Sequence, residues 1–156
     1  MTSLERSRAI VRESHTGFEI DAFAAAVLAE IYTYTGESDR ALRTAEEAVA
    51  GARQRAPGLQ PFAQLALARV LLRTKGLAAR GAIEAALEEL SRLARQMELK
   101  MLEPFVCVER AELARLAGDE PSRQRELRKA HQLFTEIGAP IRAAEVAKEL
   151  ALATAS

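Results

Sequence analysis

The sequence has few of the residues that mark a secreted or membrane protein. Cys107 is the single cysteine, so no disulfide can form within the chain, which suits a reducing compartment. The longest wholly apolar run, residues 22–29, is far shorter than the roughly 18 to 20 residues that a membrane helix needs. Residues 1–14 lack the apolar core of a signal peptide. We therefore expect a cytoplasmic protein that contacts no membrane.

An excess of charge of either sign is also lacking, because 22 basic residues balance 22 acidic ones. Nucleic-acid-binding proteins usually carry a clustered basic excess. The most basic stretch, residues 123–129, includes Glu126 and has no aromatic side chain on which a base could stack. We interpret this stretch as a solvated helix face and expect no nucleic-acid partner.

Motifs for catalysis are absent from the sequence as well. Neither His15 nor His131 is followed at helical spacing by a second histidine or a cysteine, so no metal site is indicated. The sequence contains no phosphate-binding loop, no glycine-rich dinucleotide motif and no nucleophile elbow. Cys107 lies between two valines, where a buried, unreactive thiol is the usual state. We predict that the chain is not an enzyme and carries no cofactor or metal.

The sequence does have a regular helical pattern. Apolar residues spaced three and four apart fill the segments between glycines and prolines, and no segment alternates like a strand. Pro61, Pro104 and Pro140 suit the first turn of a helix, and Gly36 and Gly118 suit the end of one. The pattern predicts an all-α fold with helices at 3–14, 19–35, 38–55, 60–75, 79–98, 103–117, 120–136 and 140–153.

Four of these helices begin with stretches that can be superposed. Each starts with alanine or proline, followed at once by a bulky apolar residue and seven positions later by alanine. The starts are separated by 39, 43 and 36 residues. The four stretches are Ala22-Phe23 with Ala29, Pro61-Phe62 with Ala68, Pro104-Phe105 with Ala111, and Pro140-Ile141 with Ala147. Repeats of this length predict stacked helix pairs, usually a solenoid with a binding surface.

The first repeat resembles a tetratricopeptide repeat, in which small residues let two antiparallel helices approach and an aromatic residue fills the gap between them. The residues that carry the resemblance are Leu28, Ala29, Tyr32, Gly36, Ala41 and Ala48. The third repeat keeps Ala111, Gly118 and Ala130, whereas the second departs further from the pattern. The resemblance implies a right-handed α-α superhelix of about seven to eight antiparallel helices.

The resemblance covers nearly the whole chain and implies one domain, 1–156. Residues 3–14 form a leading half-repeat helix, the ranges 19–55, 60–98 and 103–136 are helix-pair repeats, and 140–153 is a C-terminal capping helix. Such long, degenerate repeats are similar to the C-terminal arrays of large bacterial regulators, namely adenylate cyclases, Ser/Thr kinases and LuxR-type ATPase proteins.

This likeness implies a non-catalytic scaffold for signal transduction, which binds a protein, a peptide or another domain of its parent chain. The alternative is a small-molecule-sensing repeat domain of a transcription activator.

In this family the first helix of each pair lines a concave face, and helical spacing then selects ten candidate partner-binding residues. They are Phe23, Glu30, Thr33, Tyr34, Phe62, Arg69, Arg73, Phe105, Glu112 and Arg115. Two interpretations stay open for them. In the first, the phenylalanines anchor a peptide in a groove. In the second, they pack between repeats, and the charged residues Glu30, Arg69 and Glu112, which alternate in sign, form ion pairs along the array.

A substitution of Phe105 by alanine separates the two interpretations, because a groove residue affects binding and a core residue affects stability.

Overall fold

A computed structural model describes residues 2–14 and 18–155, with side chains described for 2–10 and 21–154; His15 lies outside these ranges. The described residues form helices and contain no strand, which confirms the all-α prediction. The α-helices are α1 (Ser3–Ser14), α2 (Phe18–Tyr34), α3 (Ser38–Arg55), α4 (Gln60–Lys75), α5 (Arg80–Gln96), α6 (Glu103–Leu116), α7 (Glu120–Glu136) and α8 (Pro140–Ala155). Every bound lies within two residues of the predicted one.

Consecutive helices pack against each other in antiparallel pairs. Ala22 at the start of α2 shares a core cluster with Ala52 near the end of α3. Tyr32 at the end of α2 shares another with Ala41 at the start of α3. Ala41 is 0% exposed, because its small side chain allows the two helices to approach closely. Tyr32, which is also buried, packs in the same cluster.

The alanine that recurs in each repeat marks the contact between the two helices of a pair. Ala29, Ala68 and Ala111 are buried in clusters with residues of α3, α5 and α7, respectively. Ala147, at the equivalent position of α8, is exposed. Within the described residues, no helix that could pack against it follows α8.

Short 3₁₀ helices lengthen the connections around α4 and α5. They span Pro57–Leu59, Gly76–Ala79 and Lys100–Leu102, and the last two lie within the longest repeat. The chain reverses after most helices at a glycine with positive φ, as predicted for Gly36 and Gly118. After α5, however, the residue with positive φ is Glu98, at 56°.

The leading helix α1 is held mainly by polar contacts. Arg8 pairs with Asp21 of α2 at 2.9 Å and with Glu47 of α3 at 3.1 Å. Glu5 accepts a hydrogen bond from the Tyr32 hydroxyl at 2.6 Å. Leu4 is the only α1 side chain that packs against a core cluster within the described residues.

The described helices are each too short or too polar to cross a membrane. The handedness of the superhelix and the division into repeats stay predictions.

Candidate binding groove

A groove runs between α4, α6 and α8, three of the four helices that begin a predicted repeat. It consists of a cavity of about 410 Å³ and an adjoining one of about 140 Å³, and both are lined by Val108 and Glu149. The charged residues of the larger cavity are Arg73, Glu109, Glu112, Arg115 and Glu149. The smaller cavity is lined by Arg69, Phe105, Val108, Phe134, Arg142, Glu145, Val146 and Glu149. We call these two cavities together the α4–α6–α8 groove.

Half of the predicted binding residues line this groove, namely Arg69, Arg73, Phe105, Glu112 and Arg115. Glu30 and Tyr34 of α2 adjoin it through contacts with the two α4 arginines. Thr33 lines neither cavity, and its hydroxyl donates a hydrogen bond to the backbone oxygen of Glu30. The concave-face prediction therefore selects residues that the fold brings together around α4 and α6.

The three phenylalanines at equivalent positions do not form one row in the groove. Phe23 is 53% exposed and lies on α2, outside both cavities. Phe62 is half-buried and packs against the core formed by α4, α5 and α6. Only Phe105 combines core packing with a position in the groove.

Arg69 links three first helices through its guanidinium group. Its Nε donates to Glu109 Oε1 of α6 at 2.8 Å, and its NH1 lies 3.4 Å from Glu30 Oε1 of α2. Burial opposes the charge of Arg69, but the attraction of Glu109 and then Glu30 outweighs it, so the pKa of Arg69 is raised above its ordinary value. Of the expected pairing of charges along the array, the contact between Glu30 and Arg69 is thus present.

The partner of Arg69 on α6 differs from the residue expected by repeat alignment. Glu112 occupies the equivalent position, yet Glu109 makes the contact and Glu112 pairs with Arg115 of its own helix at 2.6 Å. An offset of three residues is about 4.5 Å along a helix.

Phe105 is surrounded by cations and one aromatic ring. The guanidinium carbons of Arg69 and Arg142 lie 5.6 and 5.5 Å from its ring centroid, within the range of cation–π attraction. The Phe134 ring approaches edge-on, with centroids 5.2 Å apart. Arg142 itself is held loosely, by Glu145 at 3.5 Å, and both side chains are more than half exposed.

Ion pairs account for most of the other charges around the groove. Arg73 lies 3.8 Å from Glu30 and stacks over Tyr34 at 5.1 Å. Glu149, which borders both cavities, makes no hydrogen bond or ion pair among the described residues. The sequence prediction missed Glu109, Arg142 and Glu149; the last two lie on α8, which was interpreted only as a cap.

A separate cavity of about 450 Å³ lies where α5 meets α6. Its polar lining consists of Ser91, Arg95, Glu98, Lys100 and Glu103, and the backbone of Glu98 is in the left-handed region that favours glycine.

Cys107 is buried as predicted, and burial together with the nearby Glu126 carboxylate raises its pKa to about 11, which makes it a poor nucleophile. Within the described part of the chain, no three histidine, cysteine or acidic side chains meet as a metal site.

Comparison with known proteins finds no match for this chain among protein-family models, curated proteins or solved structures.

Proposed function

We propose that the chain is a protein-interaction scaffold that binds a peptide segment in the α4–α6–α8 groove. The observation that carries the proposal is the combination of apolar and charged side chains in one groove. Val108 and Phe105 line it together with arginines and glutamates that belong to three helices. Aromatic and arginine side chains are the usual anchors of protein interfaces, and flanking charges set the register of the partner.

The rigidity of the groove supports the same proposal. Arg69 fixes α2, α4 and α6 relative to one another through carboxylates that are largely withdrawn from water. A preorganised surface loses little conformational freedom on binding, so more of the contact energy appears as affinity. The bound segment belongs either to a separate protein or to another domain of a larger chain, and the likeness to regulatory tetratricopeptide arrays favours a signalling role in the cytoplasm of a bacterium.

A peptide-library selection tests this proposal. Phage-displayed peptides of about 12 residues are selected on the wild-type protein, and the affinities of enriched peptides are measured by fluorescence anisotropy. Glu112→Trp is designed to fill the larger cavity with a bulky side chain, and Glu88→Trp makes the same chemical change on the exposed face of α5. We expect Glu112→Trp to abolish binding and Glu88→Trp to leave it unchanged. Equal binding by both variants would contradict the groove.

A second function, the sensing of a small molecule, is favoured by the cavity between α5 and α6. Its volume of about 450 Å³ lies within the range of about 300 to 1,000 Å³ typical of ligand pockets. The Ala94 side chain lines it, so Ala94→Leu reduces the space. A metabolite that raises the melting temperature of the wild type but not of Ala94→Leu would support this function, and identical shifts in both proteins would contradict it.

A further inference from the structure

We propose that the smaller cavity of the groove receives a lysine or arginine side chain of the partner, and that Arg142 occupies this position in the free protein. This inference rests on the proposed function, since it specifies the chemistry of the segment that the groove binds. It is carried by the contacts of three residues: Phe105, Arg142 and Glu149.

The first step is the contact between Phe105 and Arg142. A phenyl ring attracts a cation that lies over its face within about 6 Å of the centroid. The guanidinium of Arg142 already lies at such a place, 5.5 Å from the centroid of Phe105. The protein therefore shows with its own side chain the geometry in which a foreign guanidinium or ammonium group would bind.

The second step is the weak attachment of Arg142. Its side chain is 58% exposed, and its only ion-pair partner in the described residues, Glu145, is 60% exposed and 3.5 Å away. Exposed pairs of this kind contribute little to stability. Arg69, in contrast, is held by two carboxylates and is only 22% exposed, so it stays in place. Arg142 is thus the cation that a partner can displace.

The third step is the charge balance of the groove. Arg69 is matched by Glu109 and Glu30, Arg115 by Glu112, and Arg142 by Glu145. Glu149 borders both cavities and makes no hydrogen bond or ion pair in the described chain, although its charge also acts on Arg115. An incoming cation therefore finds a carboxylate without a direct ion pair, whereas an incoming anion finds Arg69 already held by two carboxylates.

The cavity leaves about 140 Å³ of free space with Arg142 in place, so a single incoming side chain has room beside the guanidinium that it displaces. The adjoining larger cavity then accommodates neighbouring residues of the same segment, because Glu149 and Val108 border both spaces.

The test uses peptides enriched by the phage selection on the wild-type protein, measured against three variants by fluorescence anisotropy. We expect the enriched peptides to share a lysine or arginine at one position. Arg142→Ala removes the competing guanidinium and should tighten binding about two- to fivefold. Glu149→Gln removes the free carboxylate and should weaken it about threefold. Arg125→Ala, which removes the same charge from an exposed site on α7, should change little.

The sign of the Arg142→Ala effect decides between a cationic and an anionic partner. Weaker peptide binding by Arg142→Ala would overturn the inference, and so would enriched peptides that share an acidic residue. If Glu112→Trp still abolished the binding of the enriched peptides, the proposed function would stand without the inference. A selection that enriches no peptide would overturn both.

Discussion

Arg69 of α4 donates a hydrogen bond to Glu109 of α6 at 2.8 Å, and the two residues are 40 positions apart in the chain. The Glu109 side chain is 10% exposed, so its charge depends on Arg69 for compensation. This contact joins the second repeat to the third and forms one wall of the groove.

Loss of Arg69 should therefore destabilise the array. We expect Arg69→Met to lower the free energy of unfolding by about 2 kcal/mol, because it leaves a buried carboxylate unpaired. The double variant with Glu109→Gln should recover part of this loss, since the orphaned charge is gone. Urea denaturation measures the free energy of unfolding of the wild type, Arg69→Met and the double variant. Arg115→Met, whose pair with Glu112 is exposed, is the matched control and should cost no more than about 1 kcal/mol.

Phe105 and Phe23 occupy equivalent repeat positions but should respond differently to truncation. Phe105→Ala should lower stability by about 3 kcal/mol, because its ring packs against the core and against Phe134. Phe23→Ala should change stability by less than about 0.5 kcal/mol, since Phe23 is 53% exposed. Thermal denaturation followed by circular dichroism compares them, and equal losses would show that the environments of the two rings are alike.

The result for Phe105 bears on the two interpretations of the phenylalanines. A large loss of stability assigns most of this ring to the core, and its role in binding is then limited to the side that faces Arg142. For this reason the binding tests alter Arg142 and Glu149, which contribute little to the core.

The attachment of α1 to α2 and α3 should weaken at acid pH. The hydrogen bond from Tyr32, followed by one from the Thr2 backbone, lowers the pKa of Glu5 from 4.5 to about 2. A carboxyl with a lowered pKa stabilises the fold above pH 4.5, and this contribution is lost as the pH falls from 4.5 towards 2. The protection factors of the α1 amides, from which the pH dependence of the intrinsic exchange rate has been removed, should fall over this interval.

Glu5→Gln, which has no carboxyl to protonate, should show lower α1 protection than the wild type at neutral pH and no acid-induced fall of this origin. A constant α1 protection factor in the wild type between pH 5 and 2 would contradict the contact with Tyr32.

The turn after α5 offers a stabilising substitution. Glu98 has φ of 56°, a conformation that costs a residue other than glycine about 1 kcal/mol or more. Glu98→Gly should therefore raise the free energy of unfolding by about 1 kcal/mol. Gly118, with φ of 71°, provides the reverse change, and Gly118→Ala should lower stability by a similar amount. A melting temperature that falls in Glu98→Gly would show that the glutamate side chain contributes more than its backbone strain costs.

Local signals explain why the helices were predictable. A proline such as Pro104 fits only the first turn of a helix, and a glycine such as Gly118 permits the left-handed residue that ends one. These constraints act within a few residues, so they are visible in the sequence. The pairing of first and second helices followed from the recurrent alanines, because only a small side chain allows so close an approach.

The groove was predictable only in part. Equivalent positions in successive repeats identified Arg69 and Phe105, but they predicted Glu112 as the α6 partner of Arg69, whereas Glu109 makes the contact. Arg142 and Glu149 enter the groove because α8 packs beside α6, a relationship set by tertiary contacts of α7. The left-handed conformation of Glu98 could not be predicted either, since glutamate rarely adopts a positive φ and no neighbouring residue indicates it.

The most direct test of the peptide-binding groove is to map a bound peptide by amide chemical shifts. An enriched peptide is titrated into isotope-labelled protein, and the shifts of each backbone amide are followed to saturation. The account predicts that the largest shifts fall in α4, α6 and α8, near Arg73, Val108 and Glu149. Shifts confined to α3, α5 and α7, or to the cavity around Glu98, would contradict it.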